Sequence, residues 1–133
     1  MYKIDKETWG YRLTFGDFMN ATEMKAWVDE SHAVVKSAPA GFGVFVDMRT
    51  LKPLPQDAQL VMQEGQKLYK SKGMKRSVVI LASIVVTLQF KRIAQETGIY
   101  AWERYIDASS VPDWEAKGIA WIRDNIDPDA AAP

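Results

Sequence analysis

Between Ser77 and Phe90 the chain runs Ser-Val-Val-Ile-Leu-Ala-Ser-Ile-Val-Val-Thr-Leu-Gln-Phe without one charged residue, and the rest of the sequence is organised around this stretch. Residues 78–82 show no polar alternation, and Val78, Val79 and Ile80 are β-branched, which predicts a central parallel strand covered by helices on both faces. Beyond Ser83 the period changes. Val86, Phe90, Ile93 and Thr97 recur at helical spacing, while Lys91, Arg92, Gln95 and Glu96 fall on the opposite side, so Ser83 is the expected N-cap of a helix. A membrane span needs roughly 20 predominantly apolar residues, and this run meets Gln89 and Lys91 first.

Upstream, Tyr2 and Ile4 alternate with Lys3 and Asp5. Trp9, Tyr11, Leu13 and Phe15 then alternate with Gly10, Arg12 and Thr14, which predicts an antiparallel hairpin with one wet face. Asn20-Ala-Thr-Glu23 has the form of a capping box, opening a helix with Met24, Trp27, Val28, Ser31 and Val35 on one face. Gly41-Phe-Gly43 delivers a short strand, Val44-Phe-Val-Asp47, and Pro53 and Pro55 break the chain before a helix that points Ala58, Val61, Met62, Gly65 and Tyr69 inward. That helix stops at Lys72-Gly73. After Thr97-Gly98 come a last strand at Arg104-Tyr-Ile-Asp107 and a second capping box, Ser110-Val-Pro-Asp113. The final helix presents Trp114, Gly118, Trp121 and Ile122.

These elements predict one α/β domain over residues 1–126, with a mixed five-stranded sheet and four main helices, the later strands being parallel and joined by right-handed crossovers. Asp127-Pro-Asp-Ala-Ala-Ala-Pro133 has nothing to bury and is expected to fray.

A length of 133 residues suits one domain that buries roughly two thirds of its unfolded surface. Cysteine is absent, which removes disulfides, thiol chemistry and thiolate metal sites and suits a reducing compartment. Met1-Tyr-Lys-Ile-Asp-Lys-Glu7 lacks the basic-then-apolar order of a secretion signal, so a cytoplasmic location is expected. Lysine plus arginine equals aspartate plus glutamate at 17 each, leaving no net field to draw in nucleic acid or anionic lipid.

Candidate chemistry is sparse. His32 is the only histidine, and with no thiol or second imidazole it completes neither a zinc site nor a nucleophile pair. Gly41-Phe-Gly43 lacks the third glycine and the Lys-Ser or Lys-Thr of a phosphate cradle. Lys67, Lys70, Lys72, Lys75 and Arg76 cluster at a helix end, where they complement its negative pole. Asp47 and Asp107 end neighbouring strands, where α/β sheets place their ligands, and pairing with Arg49, Arg92 or Arg104 is favoured over acid–base work. No catalytic residue, metal or cofactor is expected.

Phe15-Gly-Asp-Phe-Met-Asn-Ala-Thr-Glu23 before the first helix, Val44-Phe-Val-Asp47, and Ala116-Lys-Gly-Ile-Ala-Trp-Ile122 near the end together resemble the STAS domains, the sulphate transporter and anti-sigma factor antagonist family. The resemblance is closest to the SpoIIAA-like branch of stand-alone bacterial proteins. It implies a non-enzymatic regulatory domain, in which a serine at the start of the helix after the third strand is phosphorylated by a partner kinase. Here that position falls at Gln56 or Asp57, and Thr50, the only nearby hydroxyl, stands several residues early. The chain thus departs from the family's phospho-switch, with Asp57 offering a permanent negative charge at a helix N-terminus. Part of the same branch resembles the CRAL-TRIO lipid carriers, which implies an apolar ligand under the helices.

Two binding modes follow. A protein partner would dock on an exposed turn from Met48 to Asp57, using Arg49, Thr50, Gln56 and Asp57 around Leu54. A small apolar, lipid-like molecule would instead enter between Leu54, Met62, Val85 and Leu88, where deformable apolar surface meets the carboxyl ends of the strands. Tyr100 and Trp102, outside any clear buried stripe, are candidate anchors for a partner or a second copy of the chain.

Overall fold

The structure, a computed structural model, describes residues 1–130. Five strands and four helices follow one another: β1 (Tyr2–Glu7), β2 (Gly10–Phe15), α1 (Ala21–Val34), β3 (Gly43–Asp47), α2 (Gln56–Ser71), β4 (Arg76–Leu81), α3 (Ile84–Thr97), β5 (Glu103–Asp107) and α4 (Trp114–Asp124), with short 3-10 turns at Val35–Ser37 and Tyr100–Trp102. The strands form one sheet in the order β1-β2-β3-β4-β5. β1 and β2 pair antiparallel and every later pair is parallel. This is the mixed α/β sheet that the hydrophobic pattern predicts. β4 is paired on both sides, as its unbroken apolar run requires, but the middle place belongs to β3.

The strand order explains where the helices lie. Each crossover from β2 to β5 moves one strand in the same direction, so right-handed connections put α1, α2 and α3 on one face. Only α4, which follows the last strand, reaches the other. The core is accordingly split by the sheet. Tyr11, Leu13, Phe15, Val44, Val46, Val79 and Leu81 meet the helices α1 to α3, whereas Phe45, Val78, Ile80 and Ile106 meet Trp121 and Ile122 of α4. Alternation along each strand, with its period of two, sorts the residues into these two sets.

Helix starts follow the sequence in two cases out of three. The Asn20 side chain accepts from the Glu23 N–H, and Ser83 Oγ accepts from the Val86 N–H. At the third, the expected Ser110 cap fails. α4 begins at Trp114 after Asp113, which makes no side-chain cap, while Ser110 Oγ donates back to the Asp107 carbonyl. The basic cluster does more than complement its own helix end. Lys70 Nζ donates to the Thr97 carbonyl at the end of α3, and Arg76 donates to the carbonyls of Trp121 and Ile122 in the last turn of α4.

The hairpin's second face is only partly wet, because Arg12 lies over the Phe45 ring at 4.5 Å and bonds Glu115 of α4 at 2.6 Å. The segment from Asp127, expected to fray, holds Asp127 in a bidentate pair with Arg104 at 2.9 and 3.0 Å. That guanidinium keeps the Asp127 carboxyl below the usual aspartate range, helped by the Asp129 N–H. Residues 131–133 of the expected tail lie outside the described residues.

α1 and α2 approach so closely that Gly65 faces the Trp27 ring, which is stacked at 5.7 Å on Tyr69 and held edge-on by Phe15 at 4.9 Å. A methyl group at position 65 would enter the Trp27 ring. Gly65→Ala is therefore expected to destabilise by about 1 to 2 kcal/mol, an overpacking cost of roughly 1–3 kcal/mol partly offset by the better helix propensity of alanine. Urea denaturation of the two proteins measures this, and a more stable alanine variant would contradict the packing.

Candidate functional site

The carboxyl ends of β2 to β5 gather the loops in which the sequence places its candidate residues. The strand order never reverses there, so this sheet lacks the topological switch point at which doubly wound sheets open a ligand crevice. The ends are closed instead. The loop at residues 48–55 is fixed to its surroundings by backbone pairing of Asp17 with Thr50 and Lys52, and by Met48 N–H to the Ile80 carbonyl. Gln89 of α3 clamps its far end, accepting from the Leu54 N–H at 2.9 Å and donating to the Leu54 carbonyl at 3.2 Å, with Gln59 donating to that same carbonyl.

This arrangement corrects part of the sequence reading. Met48 and Leu54, expected on an exposed turn, are both buried, as is Leu51, and they tie the loop to the main core. Arg49, Thr50, Gln56 and Asp57 are exposed. Arg49 is nonetheless engaged: it forms a bidentate pair with Asp47, at 3.0 and 2.9 Å, and lies over the Trp114 ring at 4.2 Å. Asp57 stands in the first turn of α2, where its carboxylate accepts from the Ala58 N–H at 2.8 Å.

The four residues proposed for an apolar ligand do not share a space. Leu54 lies under the loop, Met62 faces an internal chamber, and Val85 and Leu88 point outward, being 54% and 63% exposed. Together with Ile84, 79% exposed, they form an apolar patch on the first two turns of α3. Helical period explains this: Val86 and Phe90 take the buried side, so the neighbouring apolar residues are left facing out. Beside the patch a polar groove runs between α2 and α3, lined by Gln56, Gln59, Leu60, Gln63, Arg92 and Glu96, with Arg92 bonded to Gln59 and Gln63 to Glu96.

Asp47 and Asp107 do not make a carboxylate pair. β4 lies between them, and strand alternation assigns Asp47 to the α4 side with Phe45 and Asp107 to the other side with Tyr105. Each is also occupied, Asp47 by Arg49 and Asp107 by the Ser109 N–H and hydroxyl, which lower the Asp107 carboxyl below its ordinary range. His32 is exposed, and no metal-binding cluster occurs among the described residues.

Trp102 is not a free anchor. It packs half-buried against the main core with Lys70 near its ring at 6.0 Å, while Tyr100 stays 41% exposed. The last strand starts one residue before the expected Arg104, at the residue that follows Trp102. Glu103 opens β5, directly opposite Ser77 of β4, and is buried among apolar side chains. Ser77 Oγ donates to its Oε1 at 3.0 Å and Tyr105 Oη donates to its Oε2 at 2.6 Å. Burial pushes this carboxyl up to about 7 against those two donors. The signal in the sequence is Glu103 at an alternate position to Tyr105, which places the two side chains on one face of the strand.

Another polar pair crosses the core between helices: Ser31 and Tyr69 hydroxyls at 2.9 Å, with burial pushing the Tyr69 phenol up to about 12. No protein-family model matches this chain, and no curated protein matches it.

Proposed function

We propose that this protein is a non-enzymatic regulatory module that binds another protein through the outward face of α3 and the adjoining α2. The observation that carries this reading is the patch of Ile84, Val85 and Leu88, three large apolar side chains more than half exposed on consecutive helical turns. An apolar centre bordered by Gln56, Gln59 and Arg92 has the make-up of a protein interface, with an anchor region and a polar rim. The backing is rigid, since Gln89, on the same helix, clamps the 48–55 loop. The likeness to the anti-sigma factor antagonists points the same way, and Asp57 would take the place of a phosphorylated residue as a fixed charge at the start of α2. The paired states of Asp47 and Asp107 support a role without catalysis.

The occupant that suits this surface is an apolar segment of a protein partner, with the polar groove taking its flanking side chains. Site-specific photocrosslinking from position 85 in cells identifies that partner, and calorimetry with the purified pair measures its affinity. Val85→Asp with Leu88→Asp is expected to weaken binding at least tenfold, equivalent to about 1.4 kcal/mol or more, and to leave the melting temperature unchanged within error. Equal binding by the double variant would refute the site. So would a crosslink that joins only two copies of this chain, with sedimentation showing a dimer dispersed by the same substitutions.

A further inference from the structure

Between the sheet and α1 to α3 lies a chamber of about 40 Å3, separate from the docking surface. Its wall is mostly apolar, and Met48, Met62 and Met74 contribute side chains that repack readily. The polar residues on it are Gln66, Tyr69, Ser77 and Glu103. Glu103 also lines a second space, an outer groove of about 190 Å3 along the edge strand β5, together with Lys91, Tyr100, Arg104, Tyr105 and Asp129. Glu103 is the one residue common to both walls.

Two features of this chamber call for a partner that the protein itself does not supply. A carboxyl group offers about four acceptor positions, and the donors bonded to Glu103 are two, Ser77 and Tyr105. No cation pairs with it among the described residues. The indole N–H of Trp27, another wall residue, is buried with no bonded acceptor; it stands near enough to Tyr69 to lower that phenol, but off hydrogen-bonding geometry. A buried acid with spare acceptor capacity and a buried donor without an acceptor each carry a desolvation cost. Replacing Glu103 by an apolar residue would be the simpler way to fill a core.

We propose that the chamber is a binding site for a small phenol or alcohol, whose hydroxyl group bonds to Glu103 and whose apolar body lies among the methionines. A hydroxyl gives a hydrogen to a spare acceptor position of the Glu103 carboxyl. The outer groove is the entrance, with Tyr105 as the side chain that yields, since its hydroxyl closes the passage by bonding Glu103. As closed, the chamber has room for about three water molecules at roughly 10–15 Å3 each, so a ring enters only as the methionines give way. Carboxyl burial also supports the assignment, because an acid held near neutrality both accepts and, when protonated, donates.

The test uses the whole protein labelled at its methionine methyl groups and titrated with phenol or with toluene, which has the same ring without the hydroxyl. Saturable shifts of Met48, Met62 and Met74 are expected with phenol, and about tenfold weaker binding with toluene, as a site built around a hydroxyl discriminates against its absence. Glu103→Gln keeps an acceptor and should retain phenol binding, whereas Glu103→Leu should abolish the preference for phenol. Toluene binding as tightly as phenol would overturn the proposal. So would methyl shifts that never saturate, or that spare these three methionines, which would leave a chamber for water only. Should Glu103→Leu fail to fold, the comparison of phenol with toluene on the unaltered protein decides the matter by itself.

Discussion

Ile80→Asp is expected to leave the chain unfolded, with no cooperative melting transition, whereas Val85→Asp, only five residues further on, should melt within experimental error of the parent. Ile80 is wholly buried on the α4 side of β4, among Phe45, Val78, Ile106 and Trp121. Its register partner on β3 is Asp47, and alternation gives both side chains the same face. An aspartate at position 80 would therefore be a second carboxylate beside the first, at a position with no exposed surface. Asp47 is already committed to Arg49, so no spare cation stands ready. The costs add: roughly 1.5–3 kcal/mol of lost apolar burial, and several more for an unpaired buried charge. Against a total stability of about 5–15 kcal/mol for a domain, little remains. At position 85 the carboxylate would face water, where substitutions usually change stability by no more than about 0.5 kcal/mol. Circular dichroism melts of the two variants check both halves. A soluble, cooperatively folded Ile80→Asp protein would contradict the placement of β4.

The contrast between these two positions marks how far the sequence is legible. Residues 78–90 carry no charge, and the change from strand to helix at Ser83 is visible because the cap residue and the later charges at Lys91 and Arg92 set the period. Within the helix, the same run hides a distinction. Ile84, Val85 and Leu88 are as apolar as Val86 and Phe90, yet they face outward, and only the direction of the buried side separates them. Leu54 misleads in the opposite sense. Flanked by Pro53 and Pro55 it looks like a loop residue on display, but Gln89 draws the loop's backbone onto α3 and its side chain goes inside. No local pattern announces a clamp between residues 35 positions apart in the chain. The parallel pairing of the later strands is legible from the alternation of elements, but the middle place of β3 and the lone position of α4 depend on every crossover running the same way, a property of the whole topology. The burial of Glu103 is hidden for a related reason. A glutamate at the start of a strand is ordinarily a solvated end, and this one is buried by its place opposite Ser77 on the inner face, where it shares a wall with Phe90 and Ile99.

That buried carboxyl sets the second large effect, a gain of stability when it is removed at alkaline pH. Glu103→Gln is expected to stabilise the protein at pH 8 by roughly 3 kcal/mol and to change it little at pH 4.5. The sign follows from proton binding. Burial raises the folded-state value from 4.5 to about 7, so between those limits the folded chain holds a proton that the unfolded chain has released. Stability therefore falls as pH rises through this window, and the full penalty is present above it. Glutamine has the shape of the protonated acid and keeps a carbonyl oxygen for the Tyr105 hydroxyl and an amide for Ser77, yet it never ionises. Tyr105 itself stays a phenol throughout, because burial and then the neighbouring carboxylate push it upward. Other groups tilt the opposite way: Asp127, lowered by Arg104, loses its contribution as pH falls. The difference between variant and parent at each pH cancels those shared terms and isolates Glu103. Urea unfolding at half-unit steps from pH 4.5 to 8.5 should give a difference that grows through pH 5 to 7 and levels off above. A flat difference across that range, or a variant less stable at pH 8 than at pH 5 relative to the parent, would mean that Ser77 and Tyr105 hold the ionised carboxylate more strongly than burial opposes it.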